Sequence, residues 1–195
     1  MNLHQQTIKK STQLSGVGLH TGESVTLTFH PAAPNFGIKF KRVDSPDQPV
    51  IPADCDLVVS VDRGTTLEKN GVKVATVEHL MAGIFGLQID NLLIELDGIE
   101  IPIMDGSSAP FIEVLLAAGI EEQAEEREIY ELRETIKYFD EEKGVEMLAM
   151  PSSDYKITAL IDYKSKVLGQ QHSSIDNIAD FEQEFWKGRT FCFLH

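Results

Sequence analysis

The first part of the chain alternates between apolar and polar positions in the manner of half-buried strands. In ESVTLTFH (23–30), three apolar residues alternate with polar neighbours, which is the period-two pattern of a strand with one buried face. NFGIKFKRVD (35–44) follows the same pattern, and TTLEKNGVKVAT (65–76) carries an Asn-Gly pair typical of a tight hairpin. These residues are therefore predicted to be mainly antiparallel sheet.

The hydrophobic period changes at Thr76, which is expected to be a helix N-cap. Apolar residues fall at helical spacing in VEHLMAGIF (77–85), and NLLIELDGIEIPIM (91–104) predicts two strands joined at an Asp-Gly turn. DGSSAPFIEVLLAAG (105–119) predicts a second helix with a Ser cap, an early Pro and a terminal Gly. Strands with two helices that can cover one sheet face predict an α+β domain.

An acidic stretch over 121–142 marks the predicted domain boundary. It holds ten acidic and three basic residues, a net −7 that is half of the total charge of −14. The chain is therefore divided into a first α+β domain over 1–122, which carries the helix with Glu78 and His79, and the start of a second α+β domain over 123–195.

The second region predicts few elements. Two strands are expected within 129–150, a third over 155–164 and a weak helix over 178–186. Three strands and one marginal helix give little cover for a core. We therefore expect a fragment of a longer protein with an incomplete second domain. The exposed apolar surface should make the isolated chain associate or dissolve poorly.

Composition and charge argue against several function classes. The hydrophobic content of 42% is ordinary for a globular chain, and no run approaches the ~18 apolar residues of a membrane span. A net charge of −14 argues against broad nucleic-acid binding and against docking on anionic lipid. Without a signal-peptide pattern, and with Cys55 and Cys192 far apart, we expect reduced thiols in a bacterial-type cytosol.

Two other motifs resemble binding sites but have simpler interpretations. The glycine cluster GVGLHTG (16–22) precedes a strand, whereas a dinucleotide fingerprint precedes a helix. It is therefore predicted to be a turn whose glycines take positive φ, with a His20 that is solvated or faces a pocket. In HSSID (172–176), His172 and Asp176 would share one helix face and could ligate zinc, but the segment is rich in turn-forming residues.

Glu78 and His79 are the strongest candidates for chemistry. Adjacent helical residues diverge by about 100°, so the two side chains can border one cleft. A carboxylate also gains from the dipole at a helix N-terminus. A catalytic zinc site takes three protein ligands and a water, and the sequence has no HExxH pattern here. Spacing alone therefore leaves both a site and a structural helix start open.

Several segments agree in order and spacing with one known family. TVEHLMAGIFGLQIDNLLIEL (76–96) is followed by EIPIMDGSSAPFIEVLLAAGI (100–120), with SGVGLHTG (15–22) before them and RTF (189–191) near the end. Together these segments resemble the zinc-dependent UDP-3-O-acyl-N-acetylglucosamine deacetylases, which catalyse the committed step of lipid A synthesis in Gram-negative bacteria. The resemblance covers essentially the whole chain.

The resemblance implies a fold of two similar α+β domains, each a sheet with a pair of helices, and the helices sandwiched between the sheets. It implies Zn²⁺ as the cofactor, His79 as a zinc ligand and Glu78 as the general base. These residue types suit the reaction, because zinc lowers the pKa of a bound water and a carboxylate can then take the water proton.

The resemblance also implies contacts with the substrate, an acylated UDP-N-acetylglucosamine. Thr190 would lie by the developing oxyanion, and Phe191 would line the acyl-chain passage. Leu19 and His20 would border the same region. The family's remaining zinc ligands follow the RTF segment, and this sequence ends at His195. The chain by itself is therefore expected to be inactive.

The sequence predicts the N-terminal portion of a cytoplasmic deacetylase, which in some bacteria is joined to a β-hydroxyacyl-carrier-protein dehydratase. The alternative is a non-catalytic α+β binding or interaction module, in which Glu78 and His79 only begin a helix. A third possibility is that His172 and Asp176 complete a zinc site within this chain. Tight stoichiometric zinc binding by the 195 residues alone would favour that possibility.

Overall fold

The computed structural model describes residues 3–163 and 165–191, without the side chain of residue 182. By their contacts these residues form two compact units, one of residues 3–127 with 182–191 and the other of Glu128–Phe181. The helices are α1 (Glu78–Gly86), α2 (Ala109–Ala118) and α3 (Phe181–Glu184). The strands are β1 (His4–Ile8), β2 (Thr12–Val17), β3 (Ser24–Pro31), β4 (Ile38–Arg42), β5 (Val50–Pro52), β6 (Val58–Ser60), β7 (Thr66–Lys69), β8 (Val72–Val74), β9 (Leu92–Leu96), β10 (Ile120–Glu126), β11 (Ile136–Asp140), β12 (Val145–Ala149), β13 (Ile157–Asp162) and β14 (Gln170–Ile175). The predicted α+β class is confirmed.

The main sheet of the first unit has five strands in the order β2-β3-β9-β4-β5. Neighbouring strands are antiparallel except β4 and β9, which are parallel. Alternation decides which face is buried: Leu27 pairs with Leu96 and Phe29 pairs with Ile94, and all four are fully buried. The intervening residues form the polar outer face, as the period-two pattern predicts.

The helices α1 and α2 cover the apolar face of this sheet. Leu80 and Ile84 of α1, with Phe111 and Leu115 of α2, belong to the same buried cluster as the strand residues. The two helices approach closely at Gly83, where an added Cβ would lie 3.2 Å from Cγ1 of the nearest side chain on α2. Each such buried side chain stabilises the fold by about 1.5–3 kcal/mol. The packing of Leu80 and Ile84 therefore holds α1 against the sheet.

A buried amide joins β1 and β10 to the main sheet. Asn91 is 1% exposed, and its side-chain nitrogen donates to Oε1 of Gln5 at 2.8 Å and to Oε1 of Gln123 at 2.7 Å. Its side-chain oxygen accepts the N–H of Gly37 at 2.8 Å. The pairing of β1 with β10 places the first part of the acidic stretch, up to Glu126, within the first unit.

Most predicted elements of the first unit are confirmed, including the β7–β8 hairpin at Asn70-Gly71, whose φ angles of 52° and 82° suit its tight turn. The predicted second strand after Asp97-Gly98 is wrong. Only one isolated bridge, between Ala75 and Glu100, forms among these described residues. A Pro two positions later cannot donate to a ladder.

The second unit consists of two antiparallel hairpins, β11–β12 and β13–β14. The strands predicted within 129–150 and 155–164 are confirmed, although Lys164 lies outside the described residues. The weak helix over 178–186 is reduced to a 3₁₀ turn, Ile178–Asp180, followed by the four residues of α3. The domain division at residue 122 and the sandwich of two similar domains stay predictions.

The HSSID segment is a strand rather than a helix. His172 lies in β14 opposite Leu160 and is exposed. Residues four apart in a strand are separated by about 13 Å, so the shared helix face that would bring His172 and Asp176 to one metal does not form. The helical placement of this pair is therefore wrong, whereas the possibility that it completes a zinc site within this chain stays a prediction.

Cys55 is a free and exposed thiol, whereas Cys192 lies outside the described residues. None of the described helices is long and apolar enough to cross a membrane.

Candidate functional site

The first turn of α1 is fixed by the backbone of Thr65. Oε2 of Glu78 accepts the Thr65 N–H at 2.8 Å, and the Thr65 carbonyl accepts the N–H of Val77 at 3.2 Å. The expected N-cap, Thr76, is wrong, because the helix is capped by Val77 without a side-chain hydrogen bond. Glu78 is half-buried, and its orientation is therefore set before any ligand binds.

Three polar groups from two segments, the His20 loop and the start of α1, converge at Gly64. A Cβ built on this glycine would lie 3.3 Å from Oγ1 of Thr76, 3.6 Å from Oε1 of Glu78 and 3.7 Å from Nε2 of His20. We call these four residues the Gly64 cradle. Because position 64 has no side chain, the second oxygen of Glu78 faces open space beside an imidazole and a hydroxyl.

His20 is held at the cradle by its ring. Its Nε2 lies 3.1 Å from the carbonyl oxygen of Arg63. A carbonyl can only accept a hydrogen bond, so Nε2 carries the proton in this arrangement. The sequence left open whether His20 is solvated or faces a pocket. The structure shows an exposed ring whose Nε2 is directed to the cradle.

The residue that organises this region is Glu100, which no motif in the sequence singled out. Its side chain is 1% exposed. Its carboxylate accepts the backbone N–H of His20 at 3.1 Å from both oxygens, the N–H of Thr21 at 2.9 Å and the hydroxyl of Thr76 at 3.0 Å. One carboxylate therefore connects the loop of His20 with the segment before α1.

Glu100 remains ionised despite its burial. Burial by itself would raise the pKa of this carboxyl, but the N–H groups of Thr21 and His20, with the hydroxyls of Thr21 and Thr76, hold the pKa below its usual range. The signal available in the sequence was a Glu placed between two isoleucines in GIEIPIM. A Glu is almost never fully buried unless its charge is satisfied.

Two of the three glycines in the 16–22 segment lie so close to residues 100–104 that a side chain would not fit. Only Gly22 has a positive φ, at 70°, so the prediction for Gly16 and Gly18 is wrong. A Cβ on Gly18 would lie 2.5 Å from Oε2 of Glu100, and one on Gly16 would lie 2.8 Å from Cβ of Pro102. These two glycines therefore let the chain wrap around the segment that carries Glu100.

His79 suits a metal ligand but does not complete a metal site by itself. Its ring is half-buried, and within the described part of the chain its nitrogens make no hydrogen bond. Across residues 3–163 and 165–191, three potential ligand side chains come within 4.8 Å of one another only at Asp54, Cys55 and Asp56, which are all exposed. Among the described residues, His79 is thus not joined by the two further protein ligands that a catalytic zinc takes.

Thr190 lies beside the turn that precedes α2. Its N–H donates to the carbonyl of Gly106 at 2.9 Å, and the neighbouring Arg189 pairs with Asp105 at 3.3 Å. The hydroxyl and N–H of the neighbouring serine, with Arg189, hold the pKa of Asp105 below its usual range. The contacts that position Thr190 lie at this turn rather than at the Gly64 cradle.

The two apolar residues expected at the acyl-chain passage are both accessible. Leu19 is 54% exposed and Phe191 is 57% exposed. Large apolar side chains left in water are available to an apolar ligand. The roles of Leu19, Phe191, Thr190 and His20 toward a substrate stay predictions.

The sequence model of one enzyme family, UDP-3-O-acyl N-acetylglycosamine deacetylase, matches residues 5–195. The chain is 48% identical over 195 residues to a bifunctional enzyme LpxC/FabZ of Chlorobaculum tepidum, covering 100% of this chain and 42% of the relative. It is 41% identical over 192 residues to a bifunctional enzyme LpxC/FabZ of Bacteroides thetaiotaomicron, covering 98% of this chain and 42% of the relative.

A third relative carries the deacetylase name alone. The chain is 43% identical over 192 residues to the UDP-3-O-acyl-N-acetylglucosamine deacetylase of Myxococcus xanthus, covering 98% of this chain and 60% of the relative. The chain therefore spans less than two thirds of the length of these relatives. The match nevertheless extends across nearly all of this sequence, and we conclude that the chain belongs to the UDP-3-O-acyl N-acetylglycosamine deacetylase family.

Proposed function

We propose that this chain forms part of the active site of a zinc-dependent deacetylase that removes the N-acetyl group of UDP-3-O-acyl-N-acetylglucosamine. In lipid A synthesis this is the committed step. The observation that carries the proposal is the placement of Glu78, whose Oε2 is held by a backbone N–H while Oε1 faces the Gly64 cradle. A fixed carboxylate with one oxygen available is what a general base requires.

In the proposed reaction, Oε1 of Glu78 takes a proton from the attacking water. The water oxygen forms a bond to the acetyl carbonyl carbon, and the bond between this carbon and the sugar nitrogen then breaks. The nitrogen receives the proton that Glu78 took up and leaves as the amine, while the acetyl group leaves as acetate. His20 and Thr76, whose polar atoms share the Gly64 cradle with Oε1, would orient the water.

When bound, zinc polarises the acetyl carbonyl and lowers the pKa of the attacking water. His79 would supply one of its ligands, because its ring follows Glu78 on α1 and is not engaged by the described residues. The remaining ligands would come from outside the described residues. The activity is therefore a property of the full-length protein, and it is tested there.

On the substrate side, Thr190 would stabilise the developing oxyanion. Leu19 and Phe191 would contact the acyl chain, and their exposure supports this role. The two relatives named bifunctional support a further proposal, that the full-length protein also carries a second enzyme domain. A cytoplasmic location is likewise proposed.

The test uses two substitutions in the full-length protein. We expect Glu78→Gln to leave the zinc content unchanged and to lower turnover by about 10²–10⁴-fold, which is the usual contribution of a general base. We expect His79→Ala to lower both zinc content and turnover, because it removes a ligand. Metal analysis and a deacetylation assay measure the two effects.

The controls change the same residue types elsewhere. Glu113→Gln alters an exposed carboxylate on α2, and His172→Ala removes an exposed imidazole from β14. Both variants should keep zinc and turnover. Unchanged zinc in His79→Ala would remove the ligand assignment, and full turnover in Glu78→Gln would remove the general-base assignment. Absence of deacetylation by the wild-type full-length protein would favour the non-catalytic module.

A further inference from the structure

Glu100 is a buried anion that is satisfied without a cation. Glu100 is 1% exposed, and its carboxylate accepts hydrogen bonds from the N–H groups of His20 and Thr21 and from the hydroxyl of Thr76. These donors are neutral. A buried charge is costly unless it is fully hydrogen-bonded. An apolar side chain would therefore be more favourable at this position if only packing were required.

The donors bound to Glu100 come from segments far apart in sequence. His20 and Thr21 precede Glu100 by 80 and 79 residues, whereas Thr76 precedes it by 24 residues. The backbone reinforces the second connection, because the N–H of Ile101 donates to the carbonyl of Ala75 at 3.0 Å. The carboxylate is therefore the point at which the His20 loop and the start of α1 are joined.

Both joined segments end at the Gly64 cradle. From the first segment comes the ring of His20, and from the second come the hydroxyl of Thr76 and, two residues later, the carboxylate of Glu78. The cradle atoms of His20 and Thr76 thus belong to residues that Glu100 holds directly. Glu100 itself contacts the backbone of His20, so it acts on the cradle through its neighbours.

From these contacts we infer that Glu100 is a positioning residue for the proposed deacetylation, holding His20 and Thr76 in register beside Glu78. This inference rests on the proposed function. An ionised carboxylate is required because all the partners donate and both of its oxygens accept. A glutamine of the same shape offers one oxygen and an NH₂ group, and the NH₂ would face a donor.

The experiment compares Glu100→Gln with the wild-type full-length protein. We expect kcat to fall by roughly 10- to 100-fold with KM changed by less than about twofold, because a displacement near 1 Å in an active site has an effect of this size. In amide hydrogen exchange, His20 and Thr21 should exchange about tenfold faster, since hydrogen bonds to a charged acceptor are lost.

The matched control is Glu95→Gln. Glu95 also accepts hydrogen bonds, from Lys41 and His30 on the outer face of the sheet, and it makes none with the cradle. This variant should keep both kcat and the exchange rates of His20 and Thr21. A loss of kcat in Glu95→Gln equal to that in Glu100→Gln would overturn the positioning role.

A second pair of variants keeps the test decisive if Glu100→Gln does not fold. Thr76→Val removes the hydroxyl that donates to Glu100 and should lower kcat, whereas Thr76→Ser retains the hydroxyl and should recover most of that loss. Unchanged kcat in Thr76→Val, or in a folded Glu100→Gln, overturns the inference. Absence of deacetylation in the wild type would refute the proposed function alone, because the exchange of His20 and Thr21 still reports whether Glu100 holds the loop.

Discussion

Thr76 has a φ of +57°, which is unusual for a β-branched residue. Such a conformation costs on the order of 1–3 kcal/mol and persists only where the surroundings fix it. Here the hydroxyl of Thr76 donates to the buried carboxylate of Glu100. The N–H of the next residue, Val77, donates to the carbonyl of Thr65. In this conformation the Thr76 hydroxyl is bonded to Glu100, and Glu78 lies at the cradle two residues later.

The acid stability of the fold should depend on Glu100. Its folded pKa lies below the ordinary value of 4.5, so its contribution to stability is present above this pH and is lost as the pH falls through the folded pKa. Below about pH 4.5, the free energy of unfolding should decrease with falling pH by up to about 1.4 kcal/mol per unit from this group.

Urea unfolding of the wild type and of Glu100→Gln between about pH 3 and 6 measures this dependence. The wild type should show the steeper decrease, because the glutamine does not titrate. Identical slopes in the two proteins would show that Glu100 does not contribute.

At the scale of elements, the loop of residues 18–22 is shaped by what it encloses. An alanine at Gly18 would place its Cβ 2.5 Å from Oε2 of Glu100. An alanine at Gly22 meets open space but keeps a φ of 70°. The first substitution thus disturbs the bonds to Glu100, and the second only strains the backbone.

We expect Gly18→Ala to destabilise the fold by about 1–3 kcal/mol, as overpacking does, and to accelerate amide exchange at His20. Gly22→Ala should cost about 1–2 kcal/mol from its left-handed backbone without faster exchange at His20. Thermal unfolding and hydrogen exchange separate the two. Equal exchange at His20 in the two variants would show that the packing of Gly18 against Glu100 does not hold the loop.

At the scale of the whole molecule, burial is distributed unevenly between the two units. Nearly all buried apolar residues belong to the first unit, whereas Ile175 and Ile178 are the buried apolar residues among the described residues of the second. All six residues of β13 are exposed. Exposed apolar side chains on the second unit include Tyr138, Phe139, Met147, Leu148, Leu160 and Ile161.

In the 195-residue chain, amide hydrogen exchange should therefore be slower in the first unit than in the second. Amides of β3 and β9 should be the most protected, because they lie in a sheet with a buried apolar face. Amides of β13 and β14 should exchange orders of magnitude faster, since little buried surface opposes local opening. Mass spectrometry of peptides measures both. Protection of β13 equal to that of β9 would contradict this expectation.

The sequence by itself determined the elements that depend on local pattern. Alternation defined β3, β4 and the two hairpin strands around Asn70-Gly71, and the helical period with a terminal Gly defined α2. Each of these signals lies within about ten neighbouring residues, so sequence alone carries it. The motifs of the sequence also predicted the enzyme family, and this assignment is confirmed.

Only the tertiary structure decided how the candidate site is built. The burial of Glu100, its bonds to His20 and Thr76, and the space left at Gly64 are contacts between segments up to 80 residues apart. No local pattern encodes such contacts, because a Glu between isoleucines or an isolated glycine suits many environments. The strand of His172 was decided in the same way, by pairing with β13. Long-range packing therefore fixed the geometry for which local sequence supplied only the residues.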